Sequence, residues 1–395
     1  MFFLLMFASA APTTLYGVYQ TRWHFSTTTV TAVFAVYALV LLAALLVLGR
    51  LSDYVGRRPV IIAGVALNAV ACVVWALAPG VGALFAARAL QGLSVGLATG
   101  TIGASLLELQ PPGSGRAAVL TAASPSMGLG IGALATSALV QYGPDPIRLI
   151  WWLLLAAFVA GALALLAMPD PVSRRAGWLR SLRPAVSVPR DARGAFAAAL
   201  PSVIAVWALG AFYLSLGPDL VAQLLRSANL LWGGLAAFLL AGVGSLAAIA
   251  AARITPRACM VGGCLALLAG AGLTLGAIAA TVPAVFLLGT AIAGVGFGCG
   301  WTGAYRALAA DVAPGHRAGL VAAIFITAYL SFSLPALVAG LATQHYGIHD
   351  TALVYNAVVA VLAAVAAALT GLRRPAGPPR PRDEHSRRRE RVTGS

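Results

Sequence analysis

The feature that most constrains this chain is a spacing. Apolar stretches of about 20 residues recur twelve times, divided by short segments that hold most of the charges and turn residues. They run over 2–20, 27–48, 59–78, 81–107, 117–141, 148–168, 195–217, 229–251, 258–280, 283–308, 318–342 and 351–372. At about 1.5 Å rise per residue, each is long enough to cross the hydrocarbon core of a bilayer as a helix. Lipid offers no hydrogen-bond partner, so a spanning segment must satisfy its own backbone, which a helix does. The alternating ten-residue segments of a membrane barrel do not occur. Composition closes the other routes. With 60% hydrophobic and 9% charged residues, the chain has too few polar groups to cover a soluble globule. It is also far too apolar to remain disordered. The expected fold class is an all-α polytopic membrane protein.

The net charge is +15, and the 26 basic residues are all arginine. Such a charge is compatible with nucleic-acid binding only if it gathers on one face. Here 22 of the 26 fall on one side of the expected spans, spread over many loops and the C-terminal segment. Arg22, Arg148 and Arg226 lie on the other side, and Arg88 lies inside a span. By the positive-inside rule this places both termini in the cytoplasm, in a multi-pass protein of the plasma (inner) membrane. No nucleic-acid partner is expected. Ala8-Ser9-Ala10 looks like a signal-peptide cleavage site, but no basic segment precedes it. The first stretch is therefore counted as a span.

The sequence divides into two groups of six spans. Residues 1–168 form the expected N-terminal bundle, 169–194 a polar cytoplasmic linker with Pro171, Pro184 and Pro189, and 195–372 the C-terminal bundle. Residues 373–395 read as a basic disordered cytoplasmic tail. The second group echoes the first. Arg116 and Arg317 stand in matching loops 201 residues apart, Phe85 and Phe286 share that offset, and Gln141-Tyr142-Gly143 is echoed by Gln344-His345-Tyr346-Gly347. An internal repeat of this size is a transporter architecture, in which two bundles rock about a site between them.

Three motifs carry more detail. Between spans two and three runs Gly49-Arg50-Leu51-Ser52-Asp53-Tyr54-Val55-Gly56-Arg57-Arg58. Gly49 permits close helix approach, Gly56 a tight turn at positive φ, and Asp53 is the lone acid among arginines and should bond one of them or a helix end. Span four holds Arg88-Ala89-Leu90-Gln91-Gly92. A charge at mid-membrane is costly, so Arg88 must face protein or a wet cavity. Span five holds Gly128-Leu129-Gly130-Ile131-Gly132 followed by small residues.

The first two motifs, at these places in a twelve-span chain, resemble those of the major facilitator superfamily. The resemblance implies two six-helix bundles alternating access to a small-molecule substrate. It implies a conformational latch at Gly49, Asp53, Gly56, Arg57 and Arg58, and an interior role for Arg88 in substrate or proton movement. A purely structural arginine bonding the carbonyls of span one remains the alternative. Span five is similar to the exporter motif of that family, but Ala133 stands where the proline would be. That departure weakens the case for antiport.

Gln91, Gly92, Tyr16, Tyr213, Trp301 and Tyr305 join Arg88 as candidates for the substrate or proton pathway. Tyr19, Tyr37, Trp207 and Tyr329 are further cavity-lining aromatics. Gly128, Gly132, Gly296 and Gly300 are candidates for helix packing or gating. No acid falls at mid-span. Glu108 and Asp219, near span ends, are therefore the candidates for proton coupling, with an interfacial role as the plainer alternative. Gly92-Leu93-Ser94-Val95-Gly96 matches a hydrolase nucleophile elbow only formally, since it lies inside a span and no histidine does. Gly294 to Gly300 lacks the strand and helix N-terminus of a phosphate loop. Cys72, Cys259, Cys264 and Cys299 show no metal spacing and read as buried thiols. No enzyme activity, metal or cofactor is expected. The function expected is export of small amphipathic molecules by a monomer, with protons as the candidate coupling ion. Uptake by symport or facilitation, and a membrane sensor or scaffold that does not transport, are the alternatives.

Overall fold

A computed structural model of the chain describes residues 1–110, 116–170, 177–182, 186–190, 192–309 and 314–372. The matched loops around Arg116 and Arg317 fall partly outside these residues, as does part of the linker, and the C-terminal segment lies wholly outside them. Eleven helices among the described residues are long and apolar enough to cross a membrane, and the last of them, Gly319–Leu372, has 54 residues. That length exceeds one crossing about twofold. Gly347, at φ +76°, breaks it in two. The described residues therefore form twelve helices of crossing length: α1 (Phe2–Trp23), α2 (Thr27–Leu48), α3 (Arg57–Ala76), α4 (Val81–Leu109), α5 (Arg116–Tyr142), α6 (Leu149–Leu166), α7 (Arg193–Ser215), α8 (Leu231–Ala250), α9 (Pro256–Ala280), α10 (Pro283–Ala309), α11 (314–346) and α12 (348–372). α11 runs past its expected end at 342, because the corner at positive φ comes only with Gly347.

Polar caps mark the helix starts where the sequence supplies them. The Ser26 side chain accepts from the Thr29 amide at the head of α2, and Thr255 does the same for Ala258 at the head of α9. Large apolar side chains point outward along α12, at Val354, Val358, Val361, Val365 and Leu369. That stripe recurs at helical spacing and suits contact with lipid rather than with a core.

The helices of each half pack in one pattern, repeated. α1 meets α5, α2 meets α4, and α3 meets α4 and α6; six helices later α7 meets α11, α8 meets α10, and α9 meets α10 and α12. The two halves join along two seams that the repeat makes equivalent, α2 with α11 and α5 with α8. α5 and α8 touch along most of their length, through the Ser245 hydroxyl donated to the Ala123 carbonyl at 2.8 Å, Gly130 against Gly242, and the Leu230 amide donated to Gln141 Oε1 at 2.9 Å. α2 and α11 join in the half of the bundle away from the interdomain linker. There Thr28 donates to the Gly340 carbonyl at 3.2 Å, Gly340 leaves no room for a Cβ beside Thr31, and the Phe34 and Phe332 rings lie 4.8 Å apart. At the linker face, the short helix Trp178–Leu182 touches α2, while the Ser187 amide donates to the Gly319 carbonyl at 3.2 Å. The linker thus touches both halves.

Candidate functional site

Arg88 lies in α4 with its side chain fully buried. Its Nε donates to the Tyr16 hydroxyl at 2.7 Å, and its Nη1 to the Ser9 carbonyl at 2.8 Å and Gln91 Oε1 at 3.2 Å. Gln91 donates to the Ala8 carbonyl at 3.0 Å, and the Tyr37 hydroxyl to Ser9 Oγ at 3.1 Å. That carbonyl is available for a local reason: four residues on stands Pro12, which has no amide to donate back to it. The guanidinium also lies over the rings of Tyr37, Tyr16 and Trp75, at 5.2, 5.5 and 5.9 Å. Burying an unpaired charge costs several kcal/mol. No carboxylate bonds to Arg88 among the described residues, so oxygen acceptors and ring faces offset that cost.

The second half keeps the tyrosine and drops the charge. At the position 201 residues after Arg88 stands Gly289, and its neighbour Thr290 shares a 2.7 Å hydrogen bond with the buried Tyr213 hydroxyl. The candidate glycines are contact points. Gly92 admits the α2 backbone at Tyr37, Gly128 and Gly132 admit α1 at Phe3 and Phe7, and Gly296 admits α9 at Leu267. A Cβ on Gly300 would lie 3.0 Å from Val206 of α7. The residues grouped by sequence as one pathway are therefore divided. Arg88, Gln91, Gly92, Tyr16 and Tyr213 are sealed within their own halves, and only Trp301 and Tyr305 are partly exposed.

At the linker face, Arg57 organises a charge cluster. Its guanidinium donates to Asp53 at 2.5 Å, Ser52 at 2.6 Å and both Glu108 oxygens, at 2.9 and 3.2 Å. Its amide donates to Asp170 Oδ1 at 3.0 Å. Asp53 has found a loop arginine, as expected, and Glu108 is held by the same side chain. Arg58 is half-buried beside it and takes no part in the cluster. Every partner named here belongs to the first half except Asp170, which stands at the start of the linker. Asp170 went unnoticed in the sequence, where it is merely a residue after a span. Gly56 is what admits it: the glycine stands at φ +103°, and a Cβ there would collide with the Asp170 carboxylate. Gly56→Ala should therefore cost about 1–3 kcal/mol, the usual range for a strained backbone position. Thermal unfolding in detergent measures it, and an unchanged midpoint would show that the corner is not needed.

Where α2 meets α11, aromatic rings join. The Trp207 ring of α7 is the hub, edge-on to Tyr329 at 4.9 Å, Trp301 at 5.2 Å and Phe332 at 5.8 Å. Phe325 and Tyr305 extend the cluster toward the linker face, each within 5.7–5.9 Å of Trp301. Phe332 meets Phe34 of the other half. Trp207 Nε1 is buried without a hydrogen-bond partner among the described residues. At the face opposite the linker, Asp219 opens the short helix Gly217–Leu225, and a Cβ on Gly17 of α1 would lie 4.0 Å from its Oδ1. Although this side chain borders solvent, surrounding protein strips much of the carboxyl's hydration and raises it to about 6.

A family model described as Major Facilitator Superfamily matches residues 1–329. Solved structures share the architecture at low sequence identity. The xylose transporter XylE from E. coli, in a partially occluded inward-open conformation, matches with a TM-score of 0.70 at 15% identity, over 92% of this chain and 94% of that one. A POT family transporter in complex with 5-aminolevulinic acid gives 0.71 at 11% identity, over 92% and 94%. The nucleoside transporter NupG gives 0.67 at 15% identity, over 93% and 98%. Among curated proteins compared by sequence, none matches.

Proposed function

The chain belongs to the major facilitator superfamily, and from that premise we propose that it exports small amphipathic molecules by alternating access, exchanging them for protons. The observation that carries this reading is the aromatic cluster around Trp207, placed where the halves meet and, among the described residues, bonded to no carboxylate. Ring faces bind flat apolar and weakly polar molecules of varied shape, and the unpartnered Trp207 Nε1 supplies one directional donor. With 22 arginines on the linker side, that side is assigned to the cytoplasm and the membrane to the plasma (inner) membrane. The halves are joined through Thr28–Gly340 and Phe34–Phe332 away from the linker. This arrangement is read as facing the cytoplasm.

Within this reading Arg57 and its partners are a latch on the cytoplasmic face, whose hold on the second half would form in the other conformation. Asp219 is the proton carrier. Its carboxyl stands at about 6 where the outer side is closed, above its ordinary 3.8. A raised acid stabilises the protonated closed state, and that stabilisation is lost as pH rises through about 6. Wider opening to the outside would hydrate this exposed carboxylate more fully and lower its proton affinity.

Everted membrane vesicles test both parts. Driven by a pH gradient, they should accumulate aromatic amphipaths only when they contain the protein, and Trp207→Ala should cut accumulation about tenfold or more, one ring contact being worth about 1.5 kcal/mol. Asp219→Asn should remove the dependence on the gradient while leaving downhill exchange of substrate. Transport indifferent to the gradient in the parent protein would sink the antiport. Nutrient uptake by whole cells with no accumulation in everted vesicles would reverse the assigned direction.

A further inference from the structure

Three of the four cysteines gather in the inward halves of α9 and α10. Cys259 lies in the first turn of α9, with its thiol donated to the Cys299 carbonyl of α10 at 3.3 Å. The Cys259 thiol thus lies directly against residue 299 of the neighbouring helix. Cys299 Sγ is 3.8 Å from the Ala247 carbonyl of α8. Glycines create the meeting. Gly263 leaves no room for a Cβ beside Gly300, and Gly303 none beside Met260, so the backbones of α9 and α10 approach closely over the turn that begins at Cys259. The other two thiols have different surroundings: Cys264, further along α9, bonds Ser202 at 3.4 Å, and Cys72 lies in α3 of the other half. Cys259 is buried and Cys299 is partly exposed, so entry is from the Cys299 side.

We propose that Cys259 and Cys299 form a dithiol site for one thiophilic centre that takes two sulfur ligands, such as trivalent arsenic or a two-coordinate soft metal cation. The proposal stands apart from the transport reading and does not depend on it. Soft ions and arsenicals prefer thiolate sulfur, and two sulfurs on rigid neighbouring helices are pre-organised for chelation. With phenylarsine oxide the step is balanced. Two S–As bonds form, the arsenic–oxygen bond breaks, and both thiol protons leave with the oxygen as water. Arsenic stays trivalent, so no oxidant or reductant is required.

The full-length protein purified in detergent is treated with one equivalent of phenylarsine oxide, alkylated with N-ethylmaleimide and mapped by mass spectrometry. Relative to untreated protein, Cys259 and Cys299 should lose labelling together, and the labelling of the buried Cys72 and Cys264 should not change. Release should follow 2,3-dimercaptopropanol but not an equal concentration of 2-mercaptoethanol. Cys259→Ser and Cys299→Ser should each abolish protection of the remaining partner against the monothiol, weakening retention about 100-fold or more, as expected when chelation becomes single-point binding. Cys264→Ser is the control that keeps the site, and elution as a monodisperse peak shows that each variant is folded. Protection of neither cysteine, protection of one alone, or unaltered retention in Cys259→Ser would overturn the proposal.

Discussion

Replacing Arg88 with alanine is expected to destabilise the protein by about 3–5 kcal/mol, since each buried polar group left without its partner costs about 1–3 kcal/mol and the lost side chain leaves a cavity. The truncation strands the Tyr16 hydroxyl and the Ser9 carbonyl in the packed core of the first half, and empties the space between the rings of Tyr16, Tyr37 and Trp75. Lysine should not rescue it. A single ammonium has no planar fork with which to reach Tyr16, Ser9 and Gln91 together. Unfolding in detergent, followed by tryptophan fluorescence, reads the loss directly because Trp75 and Trp151 stack 4.8 Å apart in the same core. An Arg88→Ala protein that keeps its stability but loses transport would instead make Arg88 a substrate or proton anchor. The two roles suggested by the sequence are thereby separated.

The second large effect is conformational. Gly340→Trp should prop apart α2 and α11 at the face opposite the linker, since even a Cβ there collides with Thr31. Overpacking a close contact costs about 1–3 kcal/mol. Charged to one conformation alone, that shifts the equilibrium between the two about 5–150-fold. A cysteine introduced at Thr28, whose hydroxyl now bonds the Gly340 carbonyl, reports the result. Its labelling by a membrane-impermeant maleimide from outside should rise by that factor, and transport should fall with it. Labelling that stays at the parent rate would mean that the closed seam tolerates the bulk and that α2 and α11 do not part there.

How much was legible depended on whether the signal was local. Gly56 was assigned a positive-φ corner from its place between Val55 and Arg57, and the structure shows φ +103°. Asp53 was expected to bond an arginine close in sequence, and it bonds Arg57 four residues on. Asp170 could not be found that way, since it reaches the same corner from 113 residues away. The break between α11 and α12 was visible as a turn, while its position waited on Gly347. The grouping of Arg88, Tyr16 and Tyr213 with Trp301 and Tyr305 failed to separate rings sealed inside a half from rings at the seam. Periodicity along one helix does not say which neighbour covers each face. Pro12 is a local signal of this kind, since it frees the Ala8 carbonyl to which Gln91 bonds.

The sequence alone determined the solvent, the number of crossings and the twofold repeat. Each follows from free energies that add up residue by residue along the chain: transfer of side chains into lipid, satisfaction of the backbone within a helix, and the bias of arginine to one side. Only the tertiary structure decided which polar groups are partners and which rings lie where the halves meet. Those depend on contacts between residues tens to hundreds of positions apart, such as Phe34 with Phe332 and Cys259 with Cys299 through the glycine contacts of α9 and α10. Close packing of helices turns on single missing Cβ atoms, and a glycine's partner becomes known only once the helices have met.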